Sequence, residues 1–328
     1  MITSSAFVWV PMHATPGDQP PPLTPGRLLT EWTFDWWIVG GVVITAGLYL
    51  WGVSVLRRRG VVWPLARTLT FILGGLGTGV LATCSAIGTY DTVLFSMHMV
   101  QHMLLMMATP LFLALGAPVT LALRTLVGRP RAVLMWLLHC RLARVLSFPP
   151  LALALFIASP FALYYSSFYA LTLESALWHN FMHVHFVLIG SLLMWPLLGI
   201  DPVPGRVSYP LRVLLMFVTL PFHAFLGVSL MSSEQLIAED WYLAFGRTWA
   251  PNPVEDQYLA GAILWGSGDF VALLMLGVLF VQWFASSQRE AVREDRRLDR
   301  LEAQGARYDR TAGARLPASQ HSGEDDRV

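Results

Sequence analysis

Seven apolar runs, each with at most one charged residue, follow one another along the chain, at about 36–56, 68–88, 93–115, 151–171, 177–199, 211–231 and 259–284. Crossing roughly 30 Å of hydrocarbon takes about 20 apolar residues in a helix, so each run predicts a membrane-spanning helix. Polar and charged positions collect in the segments between them. The run 92–123 is longer than one span needs, and Pro110 and Pro118 predict a kinked exit whose remainder lies in the interface.

The charges that interrupt the pattern set its orientation. Arg57, Arg58, Arg59 and Arg67 fall in the first loop between spans. Arg124, Arg129, Arg131, Arg141 and Arg144 fall in the third, and Arg206 and Arg212 in the fifth. Nine more arginines lie beyond the last span, leaving Arg27 and Arg247 on the other side. Basic loops stay cytoplasmic, so the expected architecture is an all-α integral membrane protein. It is a seven-transmembrane helix bundle with its N-terminus outside and its C-terminus cytoplasmic. Residues 1–34, with Pro20, Pro21 and Pro22, read as an extracytoplasmic Pro-rich segment. Residues 35–285 form the membrane domain. Residues 286–328 form a charged cytoplasmic tail, helix-compatible to about Glu302 and disordered from Gly305 onward.

Composition agrees with this picture. Hydrophobic residues make up 55% of the chain and charged ones 13%, about half the charge of a soluble domain. All 22 basic residues are arginine. The apolar stretch near Phe7–Val10 is short and has no basic residues before it, unlike a cleaved signal peptide. Cys84 and Cys140 fall on opposite sides of the membrane in this topology, which argues against a disulfide.

Histidines change the picture from architecture to chemistry. Six of the nine lie in predicted spans, among them two pairs at i, i+4 spacing: His98/His102 in SMHMVQHM and His179/His183 in WHNFMHVHF. That spacing puts both rings of a pair on one helix face. His223, eight residues before the outer end of span six, lies roughly 12 Å down by helical rise. Five imidazoles on three helices therefore share one band of depth in the outer half of the membrane. Ionisable groups are expensive there and point to function, and histidine is the commonest metal ligand. His185 lies on another face and reads as a packing residue. His139 reads as solvated in its loop, as do His13 and His321 near the ends.

Imidazole and thioether donors suit copper, Cu(I) in particular. Met99 and Met103 flank His102 as possible additional ligands, and Cys84 lies near the outer end of span two. Asp269 in LWGSGDF is read as the carboxylate inside a span, as a ligand, a partner orienting an imidazole, a proton carrier, or a neutral packing group. No HExxH, GxSxG, P-loop or dinucleotide motif stands in a credible context, so binding or delivery is favoured over catalysis.

Four segments carry a family resemblance: SMHMVQHMLLMMATPLFLALGAPVTL, LWHNFMHVHFVLIGSLLMWPLLGIDP, LPFHAFLGVSLM and DQYLAGAILWGSGD. In this order they resemble the CtaG family of caa3-type cytochrome c oxidase assembly factors, from about residue 35 to 285. The resemblance implies a multi-pass protein of the bacterial plasma membrane that helps build a haem–copper oxidase. It implies copper supply to the oxidase copper centre, with oxidase subunits and periplasmic-side copper chaperones as partners and no nucleic acid. The matching histidines are His98, His102, His179, His183 and His223. Asp256, Gln257, Gly261 and Trp265 match the last segment without an assigned role. Two other readings stay open from the residues: haem held between facing histidines in a membrane redox or haem-handling protein, and a transporter using Asp269, for which internal repeats are expected and none is found.

Overall fold

A computed structural model of the chain describes residues 21–205 and 207–313. Among them the fold is all-helical, with one isolated bridge pair, Trp32 with Ser85, and no strand. Arg206, His13, His321 and most of the Pro-rich segment fall outside the described residues.

Six helices are long and apolar enough to cross a membrane, and a bent pair makes a seventh. We label them α1 (Trp36–Arg58), α2 (Leu65–Cys84), α3 (Phe95–Thr125), α4 (Pro149–Tyr164, followed by Phe168–Glu174), α5 (Ala176–Leu198), α6 (Tyr209–Met231) and α7 (Pro253–Gly313). In α3 and α5, 50% and 56% of the apolar stretch is buried within the protein, against 17% in α1. The two helices that carry the paired histidines are thus the inner ones, and α1 presents most of its surface outward. Gly190 makes the α3–α5 approach possible: a Cβ there would come within 2.0 Å of the Met106 carbonyl oxygen. Gly227 and Gly261 play the same part between α6 and α7, each facing the other's carbonyl.

Three details differ from the sequence reading. The helix runs on through Pro110 rather than ending there. A π-helical turn at Leu104–Ala108 precedes it, the kind of local adjustment by which a helix carries a proline. The chain breaks later, at Gly116 and Ala117, where Ala117 is left-handed (φ 53°) and Pro118 starts a new helical segment. The second span stops at Cys84 rather than near 88, because Ser85 is extended and its hydroxyl caps a short helix, Ala86–Tyr90. The fourth span breaks at 165–167 with a bend of 70°, and the Ser166 hydroxyl accepts from the Phe168 N–H at the restart. From Phe280 on the chain forms a second compact unit. It is helical past Glu302 to Gly313, and its side chains pair locally, as in Arg297–Glu294 at 3.5 Å.

Buried carboxylates hold helix starts at both ends of the bundle. Asp256 accepts from the Phe95 N–H (2.7 Å), the Ser96 N–H (3.4 Å) and the Ser96 hydroxyl (2.5 Å) at the first turn of α3. Asp201 accepts from the Thr120 N–H (2.8 Å) and hydroxyl (2.6 Å), the Val119 N–H (3.2 Å) and the Trp195 indole (3.1 Å). Both satisfy N–H groups that a helix start leaves without partners, and both complement its dipole. At the far end of α5, Arg212 donates to the Leu197 carbonyl (3.1 Å), where a cation is favoured at a helix C-terminus.

Candidate metal centre

The loop between α2 and α3 brings Asp91 beneath α5. Asp91 Oδ2 accepts from His179 Nε2 at 2.8 Å and from Gln101 Nε2 at 2.7 Å, with His183 Nε2 at 3.8 Å. Gln101 Oε1 accepts from His183 Nε2 at 2.9 Å, and the Gln101 amide also donates to the Ala82 carbonyl at 3.0 Å. The i, i+4 spacing of α5 sets the two imidazoles edge to face, 4.5 Å between ring centres. Asp91, His179 and His183 are all buried, and each offers one ligand atom within 4.8 Å of the other two. Two imidazoles and one carboxylate fit a divalent zinc or copper ion with a position left open. Loading an ion would displace the protons that Nε2 of each histidine now shares with Asp91 and Gln101.

A second group lies along α3. The Tyr164 hydroxyl, at the end of α4, meets His102 Nδ1 at 2.7 Å and His98 Nε2 at 3.1 Å, and points at the Met99 sulfur at 3.6 Å. His102 Nε2 in turn meets the Met106 sulfur at 3.2 Å, and its ring stacks on Phe186 with centroids 4.2 Å apart. His98 is fully buried and its Nδ1 makes no hydrogen bond.

The structure therefore divides the five histidines that one depth band had joined. His179 and His183 share the Asp91 group, and His98 and His102 share Tyr164. His223 stands on α6, where its Nδ1 donates to the Thr219 carbonyl at 3.1 Å. Asp269 is outside the Asp91 group: its Oδ2 accepts from the Trp265 indole at 2.9 Å, one turn back on α7. Met99 is buried at Tyr164, Met103 packs in the main core, and buried Cys84 meets the Thr83 hydroxyl at 3.6 Å. His185 bonds Ser159 at 2.6 Å on another face of α5.

Asp91, Gln101 and Tyr164 were not singled out from the sequence. For Asp91 a signal existed, since it is the only charged residue between Arg67 and Arg124. Asp256, matched without a role, holds the N-terminus of α3 and lies 3.7 Å from the buried Arg247 guanidinium. In this loop region burial lowers the Arg247 pKa, and the Asp256 charge opposes that shift. Burial likewise pushes the Tyr242 hydroxyl above the usual phenol range, so it stays a neutral partner to Tyr169 at 2.6 Å.

A buried histidine–carboxylate group inside a bundle of apolar helices defines a membrane protein with a candidate metal centre. The family model described as "Cytochrome c oxidase caa3 assembly factor (Caa3_CtaG)" matches residues 47–286, and the chain belongs to this family. An uncharacterized protein of Mycobacterium tuberculosis is 40% identical over 288 residues, covering 85% of this chain and 43% of the relative. An uncharacterized protein of Mycobacterium bovis matches with the same figures. One of Mycobacterium leprae is 36% identical over 289 residues, covering 86% of this chain and 43% of the relative. The chain thus spans less than half the length of these curated relatives. No solved structure matches.

Proposed function

We propose that this assembly factor binds copper at Asp91, His179 and His183 and passes it to the copper centre of a haem–copper oxidase. The observation that carries the reading is the convergence of these three buried donors from two separate segments, the α2–α3 loop and α5. A carboxylate accepting from two side-chain donors between inner helices is costly unless it serves a purpose. The arginine distribution supports an N-out orientation in the bacterial plasma membrane, which sets this group toward the extracytoplasmic side. Copper would then be held within the bilayer, where a soluble carrier cannot follow. Three donors with an open position suit ligand exchange, and the role is delivery rather than catalysis. Recipient oxidase subunits and donor chaperones on the outer side are the partners this reading requires.

The test is the copper content of the full chain purified in detergent, wild type beside His179→Ala and His183→Ala. The reading expects about one copper retained through desalting in the wild type and loss in both variants; background copper in the wild type would sink it. The same preparation settles the haem alternative. Here the imidazoles rest on oxygen and sulfur partners 2.7–3.2 Å away, and a Soret band in the purified protein would overturn the copper assignment.

A further inference from the structure

We infer that the cavity between α1 and α5 holds one acyl chain of a membrane phospholipid, which closes the approach from the bilayer to His183. The lipid site stands apart from the metal reading above; its bearing on His183 rests on that reading.

The cavity has a volume of about 770 Å³, within the range of about 300–1,000 Å³ that small-ligand sites occupy. Its walls come from α1 and α5, and its floor from α2 and α3, including Leu105 and Thr109. Those two floor residues are only 2% and 4% exposed, so the space is a recess rather than a furrow on the surface of one helix. Missing side chains make the room. A Cβ on Gly41 of α1 would meet nothing within 4 Å, and one on Gly79 of α2 would meet only the Thr109 methyl at 3.8 Å.

Size and depth select the occupant. Along α5 the lining runs from Ala176 to Leu188, about 18 Å of helical rise. One leaflet of a hydrocarbon core about 30 Å thick is about 15 Å deep. The cavity thus follows the leaflet at the start of α5, the outer one in the orientation proposed above. A helix about 10–12 Å across would fill at least about 1,400 Å³ over that length. A partner's helix therefore does not fit, and a single acyl chain does.

The polar groups on the wall lie where a phospholipid needs them. The Thr45 and Thr83 hydroxyls return to the carbonyls of Gly41 (2.7 Å) and Gly79 (2.9 Å), and Thr109 pairs with Thr78 (3.0 Å). Asn180 differs: no hydrogen bond within the described residues engages its amide, and it lines the cavity one turn below Ala176. That is about 6 Å into the helix, a level at which the amide can donate to an ester carbonyl while the chain below it runs along apolar walls. His183 follows one turn deeper and is the only one of the three metal-group residues on the wall. Its side chain is 8% exposed, against 1% for His179 and 2% for Asp91. A chain seated here separates His183 from the rest of the bilayer.

The test places the metal-free full chain in phosphatidylcholine–phosphatidylglycerol vesicles that carry a trace of phospholipid with a diazirine on one acyl chain. Illumination cross-links that chain to whatever it touches, and peptide mapping locates the label. Bulk lipid labels outward residues such as Val43 and Ile44 of α1, which are 63% and 64% exposed. The lipid site adds label at Leu105, Thr109 and His183. Gly41→Phe and Leu188→Trp fill the cavity from opposite walls, and each should abolish the label at Leu105 and Thr109. Gly40→Phe is the control, since Gly40 has the same open space around its Cβ position but is outside the lining; it should keep that label. Label confined to outward residues in the wild type would overturn the lipid site, as would floor label unchanged in whichever filling variant folds. No metal enters this assay, so either result leaves the copper reading intact. Failure of the purified protein to hold copper would remove only the link to metal at His183.

Discussion

Asp91 and Asp256 are both buried carboxylates, about 1% exposed for Asp256 and likewise for Asp91, yet they answer to different neighbours. Asp256 takes two backbone N–H groups and a hydroxyl at the start of α3. Those donors belong to the helix itself, and the helix needs an acceptor there whatever the protein does. Asp91 takes a histidine and a glutamine, with a second histidine 3.8 Å away. Those donors are themselves competent ligands or hold one. The contrast teaches that burial and hydrogen bonding do not mark a functional carboxylate in a membrane bundle. The identity of the donors does.

Removing each carboxylate should therefore break different things. The largest effect expected is from Asp256→Ala. It removes a cap worth about 0.5–2 kcal/mol and leaves Arg247 buried without its counter-charge, at about 3–5 kcal/mol. A fall of at least about 10 °C in the detergent melting temperature, or failure to fold, is the expected outcome, since 1 kcal/mol moves Tm by about 2–4 °C in chains of 150–250 residues. A variant as stable as the wild type would show that Asp256 is not a structural cap.

Next comes Asp91→Asn. It keeps a hydrogen-bonding side chain of the same size but removes the anionic ligand, so metal affinity should fall at least about 100-fold, beyond the range for an outer partner. The melting temperature of the metal-free protein should move far less than in Asp256→Ala. Equal destabilisation of the two variants would erase the comparison.

Gln101→Leu sharpens it at a smaller scale. Gln101 touches both Asp91 and His183 without itself being a preferred ligand, so its loss should cost about 10–100-fold in affinity, measurable by competition titration. Smallest of all is His185→Ala. It removes the bond to Ser159, worth about 1 kcal/mol, and should leave metal content unchanged. A drop in bound metal there would mean that the α5 histidines act through the helix as a whole.

How much of this was legible beforehand depends on whether the relevant contact is local. The apolar runs predicted where α1, α5 and α6 lie, because hydrocarbon thickness dictates length. Breaks at Ser85 and at 165–167 escaped notice, since apolar composition continues across them while the backbone turns. The i, i+4 histidine pairs were visible, as helical spacing is a property of the chain itself. Their division between Asp91 and Tyr164 was not. Tyr164 is 62 residues from His102 and Asp91 is 88 from His179, and only packing of α4 and the α2–α3 loop against α3 and α5 decides which ring meets which partner. Asp269 drew attention as a charge inside a span, yet it bonds an indole of its own helix. Asp91, just outside the expected start of span three, reaches the histidines.

The central claim is that Asp91, His179 and His183 act together on one ion. Isothermal titration of Zn(II) or Cu(II) into the metal-free full chain, wild type beside Asp91→Asn and the double variant Asp91→Asn/His179→Ala, tests it most directly. The account predicts one high-affinity divalent ion in the wild type, near-complete loss in Asp91→Asn, and almost no further loss in the double variant, because the two residues serve the same site. Undiminished binding in Asp91→Asn, or independent and additive losses from the two substitutions, would contradict it.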